Sequence, residues 1–219
     1  MNDIKGIKRY SQIEEKYNII SHAIGFILSI VASVCLVNRA IFYGDVWHIF
    51  SFSLFGASLI ILYASSTFYH SVEKPALRIK LRVIDHASIY VLIAGTYTPF
   101  TLVTLKGTTG WMIFCITWGL ALTGIILKLF FIGKYSIFST IMYILMGWVI
   151  VFAIKPLIHN LPLKGLIWLF SGGVSYTIGA ILYSIKTIKL NHAIFHIFVL
   201  IGSFCHFISI FFYLSKVQL

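Results

Sequence analysis

Two histidines lie four residues apart in the segment KLNHAIFHIFVL, at the entrance of a long apolar stretch. This spacing places His192 and His196 on one face of a helix. Ser66 and His70 repeat the spacing in a second apolar stretch, and Asp85 opens a third. Ionisable side chains inside a membrane are costly and usually face a partner or a cavity. If these stretches cross a membrane, the residues predict a site where three imidazoles and a carboxylate surround a cation.

Zinc is the cation that these donors fit best, because neutral imidazole and carboxylate or water are its usual ligands. Three histidines, His70, His192 and His196, leave a fourth position open for water, as a catalytic zinc site requires and a closed structural site does not. Bound zinc lowers the pKa of water to about 7 and so supplies a nucleophile at neutral pH. Asp85 could hold that water or act as general base, and Ser66 could hydrogen-bond the water or a neighbouring group.

The composition predicts an integral membrane protein. Of the 219 residues, 59% are hydrophobic and 11% are charged, against about 45–50% and about 25% in a soluble domain. A net charge of +11 is explained by basic cytoplasmic loops, so it does not indicate a nucleic-acid partner. Cys35, Cys115 and Cys205 all lie in apolar runs and are interpreted as packing residues rather than a disulfide or metal framework.

Seven stretches are long enough to cross the hydrocarbon core, which takes about 20 residues. Their connections are short, which predicts antiparallel neighbours and no second domain. The predicted fold class is therefore all-α, a polytopic seven-transmembrane helix bundle over 19–219 after a short cytoplasmic segment, 1–18. The predicted spans are 19–38, 48–70, 84–105, 110–131, 137–155, 164–186 and 194–215.

The distribution of Lys and Arg predicts an N-terminus in the cytoplasm and a C-terminus outside. With that topology, twelve basic residues lie inside, namely Lys5, Lys8, Arg9, Lys16, Lys74, Arg78, Lys80, Arg82, Lys128, Lys134, Lys186 and Lys189. Five lie outside, namely Arg39, Lys106, Lys155, Lys164 and Lys216. The same topology brings the polar ends of four segments to one level near the inner face, and Asn18 and His22 in the first helix join the other site residues there.

Two further patterns concern the helices themselves. Gly25, Ser29 and Ser33 recur every four residues in the first span, a small-residue row that lets helix backbones approach closely. Pro99 is expected to kink the third helix near its outer end, because proline removes a backbone donor.

Four motifs, in this order, resemble those of the hemolysin III family, which belongs to the progestin and adipoQ receptor superfamily. The resemblance covers nearly the whole chain, whose size is that of a bacterial member. It implies a seven-helix protein of the bacterial plasma membrane with zinc near the inner face. The motifs are EEKYNIISHAIG, SSTFYH, LRVIDHASIYVLIAGTYTPF and NHAIFHIFVLIGSFCHF.

By this resemblance the family's three zinc ligands correspond to His70, His192 and His196. Asp85 and Ser66 correspond to its water-binding and supporting positions. Its first-helix motif is matched as well, by Asn18 and His22. The core motifs show no departure from the family pattern.

Several functions remain open at this level. The resemblance suggests a zinc-dependent hydrolase of lipid amides such as a ceramide-like substrate, or a regulator of membrane lipid homeostasis in which zinc is structural. The family name implies a cytolytic, pore-forming protein. A proton or ion carrier with a His and Asp relay is more remote, and a haem between two histidines fits less well with Asp85 and Ser66 beside the imidazoles. The expected partners are membrane lipids, with no nucleic acid and no protein partner indicated.

Overall fold

The computed structural model describes residues 10–131 and 136–214, and within these ranges it contains helices and no strand. The predicted all-α fold is confirmed. The helices are α1 (Gln12–Tyr43), α2 (Val46–Ser71), α3 (Pro75–Pro99), α4 (Gly107–Phe131), α5 (Ser136–Gly147), α6 (Ile154–Asn160), α7 (Leu163–Ser184) and α8 (Asn191–Tyr213).

Seven helical segments of the described chain are long and apolar enough to cross a membrane, as predicted. The fifth of them is composite, since a 3₁₀ segment at Val149–Ala153 joins α5 to α6. Large apolar side chains cover the outer surface of the bundle, as expected for a protein surrounded by lipid tails. Examples are Ile27, Phe42, Phe130 and Phe152, all of them exposed.

Two helices begin earlier than the apolar stretches that predicted them. The first span was predicted from 19 and the third from 84, whereas α1 begins at Gln12 and α3 at Pro75. Hydropathy marks only the lipid-embedded part of a helix, while each of these helices continues through a polar first turn. Ser11 caps α1 by accepting from the backbone N–H of Glu14, and Pro75 occupies the first turn of α3.

Part of the predicted orientation rests on residues outside the described ranges. Lys5, Lys8, Arg9, Lys134 and Lys216 all lie there, as does half of the predicted segment 1–18. The remaining basic residues of the predicted inner side include Arg78, Arg82 and Lys128, which belong to the same end of the bundle as the predicted site.

The predicted disturbance at Pro99 is present. The α-helical pattern of α3 ends at this residue and continues as a π-helical segment over Phe100–Leu105. The missing N–H of proline removes one regular helical hydrogen bond, and a wider turn follows it. Phe100 is buried, so the segment remains inside the bundle.

Consecutive helices pack side by side, most extensively α1 on α2, α2 on α3 and α7 on α8, while α1 also packs on α8. The short connections confirm the antiparallel arrangement: Gly44 and Asp45 join the first pair, and residues 72–74 join the second. As a result the start of α1 lies beside the end of α2 and the start of α8.

Gly25 shows why the small-residue row in α1 matters. A Cβ atom built on Gly25 would lie 2.5 Å from the Tyr63 ring on α2 and 2.8 Å from a Leu200 methyl group on α8. Three helices therefore approach closely at Gly25, and any larger residue there would force the neighbouring side chains or backbone to shift.

Replacing Gly25 with alanine is expected to destabilise the bundle by about 1–3 kcal/mol, because overpacking forces side chains or backbone to shift. Thermal unfolding of the detergent-solubilised protein measures the effect. The matched control is Gly119→Ala in α4, where a Cβ would meet nothing within 4 Å. Equal melting temperatures for the two variants would contradict the close packing of α1.

Candidate metal centre

The seven residues predicted for the site come from four helices and lie together at one end of the bundle. They occupy the first part of α1, the last turns of α2, the middle of α3 and the first turns of α8. All seven are buried: Asn18, His22, Ser66, His70, Asp85, His192 and His196.

Three of these residues bring their ring nitrogens to one point. The Nε2 atom of His192 lies 3.1 Å from Nε2 of His70 and 3.2 Å from Nε2 of His196. Within the described chain, this is the one group of at least three His, Cys, Asp or Glu side chains able to hold a metal ion, with all ligand atoms within 4.8 Å of one another. The four-residue spacing on α8 and the last turn of α2 together produce the cluster.

The outer nitrogen of His70 faces a carboxylate. Its Nδ1 atom lies 2.6 Å from Oε2 of Glu15 on α1, and the other oxygen of Glu15 is paired with the guanidinium of Arg78 on α3. Arg78 also donates to the carbonyl of Val72 at 3.0 Å, just beyond the end of α2. A chain of charge-assisted hydrogen bonds thus ties three helices to one ring.

The outer nitrogen of His196 faces oxygen atoms. Its Nδ1 lies 3.3 Å from the backbone carbonyl of Asn18 and 3.3 Å from the hydroxyl of Ser21. The Ser21 hydroxyl donates to that same carbonyl at 3.1 Å. Because its hydrogen is used there, the Ser21 oxygen is free to accept from the ring of His196.

These outer partners determine which nitrogen carries the hydrogen in the rings of His70 and His196. A carboxylate on His70 and a carbonyl on His196 both require an N–H at Nδ1, which leaves a lone pair on each Nε2. A single N–H on Nε2 of His192 can donate to only one of these two lone pairs. A cation at the point of convergence satisfies all three nitrogens, so the donor set fits a metal.

Another acidic residue fixes the helix that carries two of the histidines. Oε1 of Glu14 accepts from the backbone N–H of His192 at 3.1 Å, at the first turn of α8. Leu190, which precedes this helix, provides no side-chain cap. The carboxylate of α1 therefore takes the place of a local cap and complements the positive end of the helix dipole.

The two residues of the first-helix motif have different positions. Asn18 contributes its carbonyl to His196, as described above, and its side-chain amide lies 3.5 Å from Nδ1 of His70. The ring of His22 stacks on the ring of His196, with centroids 3.5 Å apart, and meets Tyr63 edge-on. His22 is outside the group of three ligand atoms.

Asp85 and Ser66 lie next to each other on the wall of the same cavity as His192 and His196. The hydroxyl of Ser66 is a hydrogen-bonding neighbour of the Asp85 carboxylate. Asp85 also lies outside the group of three ligand atoms. Asp85 therefore faces the same cavity as His192 and His196 without belonging to the three-histidine cluster.

Tyr10 covers the cluster from the segment before α1. Its ring stacks on His192 with centroids 4.6 Å apart and an interplanar angle of 15°. Burial is the main cause that raises the pKa of the Tyr10 phenol well above its ordinary value, so the hydroxyl remains protonated. The aromatic ring limits access of water to the histidines from this end.

Sequence reasoning assigned no role at the site to four residues that support it: Tyr10, Glu15, Ser21 and Arg78. For Glu15 a signal existed, since it lies three residues before Asn18 and seven before His22 on one helix face. Arg78 carried none, because its role depends on the way α3 begins beside the end of α2.

A cavity of about 160 Å³ extends from the histidines along the inner face of α3 as far as Phe100. Its wall is mainly apolar and includes Leu62, Ile93 and Val199. Polar side chains occur both beside the histidines, at Ser66 and Asp85, and farther along the wall, at Lys128 and Ser139. The cavity is thus suited to a molecule with an apolar chain and a polar group at the metal centre.

Replacing Glu15 with glutamine is expected to weaken metal binding about 10–100-fold, the usual effect of losing a carboxylate that orients a histidine ligand. Zn²⁺ affinity measured by competition with a coloured chelator gives the result directly, without an activity assay. The control is Glu73→Gln, which removes an exposed carboxylate in the connection between α2 and α3. Unchanged affinity in the Glu15 variant would show that the carboxylate does not support the ligand.

Fold and site together define a class: a multi-pass, seven-helix membrane protein with a buried three-histidine cluster that could hold a metal ion. The chain belongs to the family described as Haemolysin-III related, whose model matches residues 10–207. The resemblance found in the motifs is therefore confirmed, and with it the location in a bacterial membrane.

Curated relatives cover almost the full chain. A protein of Bacillus subtilis (strain 168) named Hemolysin-3 homolog is 48% identical over 93% of this chain and 96% of its own length. Hemolysin-3 of Bacillus cereus is 45% identical over 91% of each chain. Human Monocyte to macrophage differentiation factor is 27% identical over 93% of this chain and 85% of its own. No solved structure matches significantly.

Proposed function

We propose that this protein is a zinc-dependent hydrolase of the membrane that cleaves amide bonds of lipids. One observation carries the proposal: three Nε2 atoms converge at 3.1 and 3.2 Å beside a buried carboxylate, at one end of a mainly apolar cavity. The residues assigned to the metal are His70, His192 and His196, and Asp85 is assigned to the reaction.

The spacing of the nitrogens supports zinc. Ligands about 2.0–2.1 Å from a tetrahedral zinc lie roughly 3.3–3.4 Å from one another. The two Nε2–Nε2 separations, 3.1 and 3.2 Å, are close to this value before any adjustment on binding. Three imidazole ligands are also the set that leaves one position open for chemistry.

Bound zinc would polarise the amide carbonyl and activate water as the nucleophile. The carboxylate of Asp85 is proposed to accept the proton of the attacking water and to deliver it to the departing amine. Ser66, beside it, holds the carboxylate in position through its hydroxyl. Tyr10 and the apolar wall limit bulk water, which strengthens these electrostatic interactions.

A lipid is the proposed substrate because the cavity lies within the membrane-spanning part of the bundle. Its apolar wall would take an acyl chain, with the amide at the level of Asp85.

The basic residues at the histidine end of the bundle support the proposal that this end faces the cytoplasm. Impermeant thiol labelling of a Lys189→Cys variant, in a background without the natural cysteines, tests this: labelling in intact cells would contradict it.

The decisive assay measures hydrolysis of an acyl-amide lipid by the purified protein in zwitterionic nanodiscs, with zinc present or removed by a chelator. Turnover that stops with chelator and returns with zinc is the expected result. If chelation unfolds the bundle and no turnover is found with zinc, a structural zinc in a regulator of lipid homeostasis is favoured instead.

Membrane lysis is the second candidate, favoured by the names of the two Bacillus relatives. It requires a path for solutes across the bilayer, whereas the cavity of this bundle is lined mainly by apolar side chains. Leakage of a dye from liposomes that contain the protein, unchanged by chelator, would support lysis. The same liposomes without leakage, but with lipid hydrolysis, would support the hydrolase.

A further inference from the structure

Lys128 is a buried cation in the last turn of α4, and its side chain has no acidic partner in the described chain. It is 6% exposed. Its Nζ donates to the hydroxyl of Ser139 on α5 at 2.7 Å and lies 5.8 Å from the ring centroid of Tyr143. Among the described residues the ion pairs of carboxylates involve His48, His70 and Arg78 instead.

A lysine near the end of a membrane helix normally extends its ammonium group to the water–lipid interface. Lys128 instead directs the group into the protein. An ammonium has three N–H donors, and the hydroxyl of Ser139 accepts only one of them. A buried charge with incomplete hydrogen bonding is costly. A further acceptor for the N–H groups of Lys128 would therefore stabilise the buried ammonium.

Lys128 lines the same cavity as the histidine cluster, and Ser139, Thr140 and His86 are on that stretch of wall. Its charged neighbour is Arg82, another cation. The wall near Lys128 is therefore basic and carries hydroxyl groups, while most of the wall between it and the histidine cluster is apolar. An anionic oxygen group on an apolar chain has the complementary chemistry.

We propose that Lys128, held in place by Ser139, binds the anionic headgroup, carboxylate or phosphate, of an amphiphile whose chain occupies the cavity. The ammonium forms a charge-assisted hydrogen bond to one anionic oxygen, and Ser139 remains its partner on the protein side. The site shares its cavity with the proposed hydrolase but requires neither a metal nor turnover.

Binding is measured on the full chain in phosphatidylcholine nanodiscs with chelator present, because a carboxylate could otherwise bind to a metal. The probes are dodecanoate, dodecyl phosphate and neutral dodecanol, each followed by titration calorimetry. Wild type is expected to bind at least one anionic probe more tightly than dodecanol. Preference for dodecanoate identifies a fatty-acid headgroup, and preference for dodecyl phosphate identifies a phosphate monoester.

Lys128→Met is expected to weaken binding of the preferred anion about tenfold, as for loss of a hydrogen bond to a charged group, and to leave dodecanol unchanged. Lys128→Arg keeps the charge and is expected to retain most of the affinity. The matched control is Lys155→Met, an exposed lysine of α6 outside this cavity wall. Melting temperature confirms folding, which the apolar methionine is expected to preserve.

The proposal is overturned if wild type shows no preference for either anion, or if Lys128→Met and Lys155→Met bind the anions equally well. Both results are independent of the hydrolase, which is tested with zinc bound and an amide substrate. Failure of zinc binding would leave the anion site standing, and failure of the anion site would leave the histidine cluster unaffected.

Discussion

Purified wild-type protein is expected to contain about one zinc ion per chain, and His192→Ala almost none, because a three-histidine site loses most of its affinity with one ligand. His192 is the strongest choice, since its Nε2 lies within 3.2 Å of both other ligand nitrogens. Elemental analysis of the detergent-purified protein after zinc loading and dialysis measures the metal content directly.

His159→Ala is the matched control, because His159 is an exposed histidine of α6 at the other end of the fifth span. Its zinc content is expected to equal that of wild type. A second variant, His196→Ala, guards against a folding defect confined to one substitution. Zinc-free wild type, even after loading, would remove the basis of the proposed hydrolase.

Asp85→Asn is expected to lower the rate of lipid amide hydrolysis about 10²–10⁴-fold while zinc content remains at one ion per chain, since a positioned proton acceptor contributes a factor of that size. Asn is nearly isosteric and can still hydrogen-bond with Ser66, so folding should be preserved. Turnover and metal content are measured on the same preparation.

Zinc content and turnover of the Asp85→Asn variant distinguish a metal ligand from a proton acceptor. Loss of both zinc and activity would make Asp85 a metal ligand, in conflict with its position outside the group of three ligand atoms. Full activity would exclude it as the proton acceptor. Asp45→Asn is the matched control. Asp45 caps the start of α2, whereas the predicted site lies beside the end of α2.

Much of the fold follows from the sequence alone. Each apolar stretch must form a helix to satisfy its backbone in lipid, and short connections require antiparallel neighbours. The polar groups on one face of each helix then reach one level, as with His70 at the end of α2 and His192 at the start of α8. The helix boundaries differ from the predicted ones, because α1 and α3 each begin with polar turns that precede the apolar stretch.

The sequence by itself determined the class of protein, the number of spans and the level at which three histidines and Asp85 meet, since spacing along a helix fixes face and depth. Tertiary structure alone decided which atoms pair. The contact of Glu15 with His70, its link to Arg78 and the burial of Lys128 against Ser139 depend on lateral helix packing. Periodicity within one helix carries no information about which neighbour lies against it, and that choice decides the chemistry.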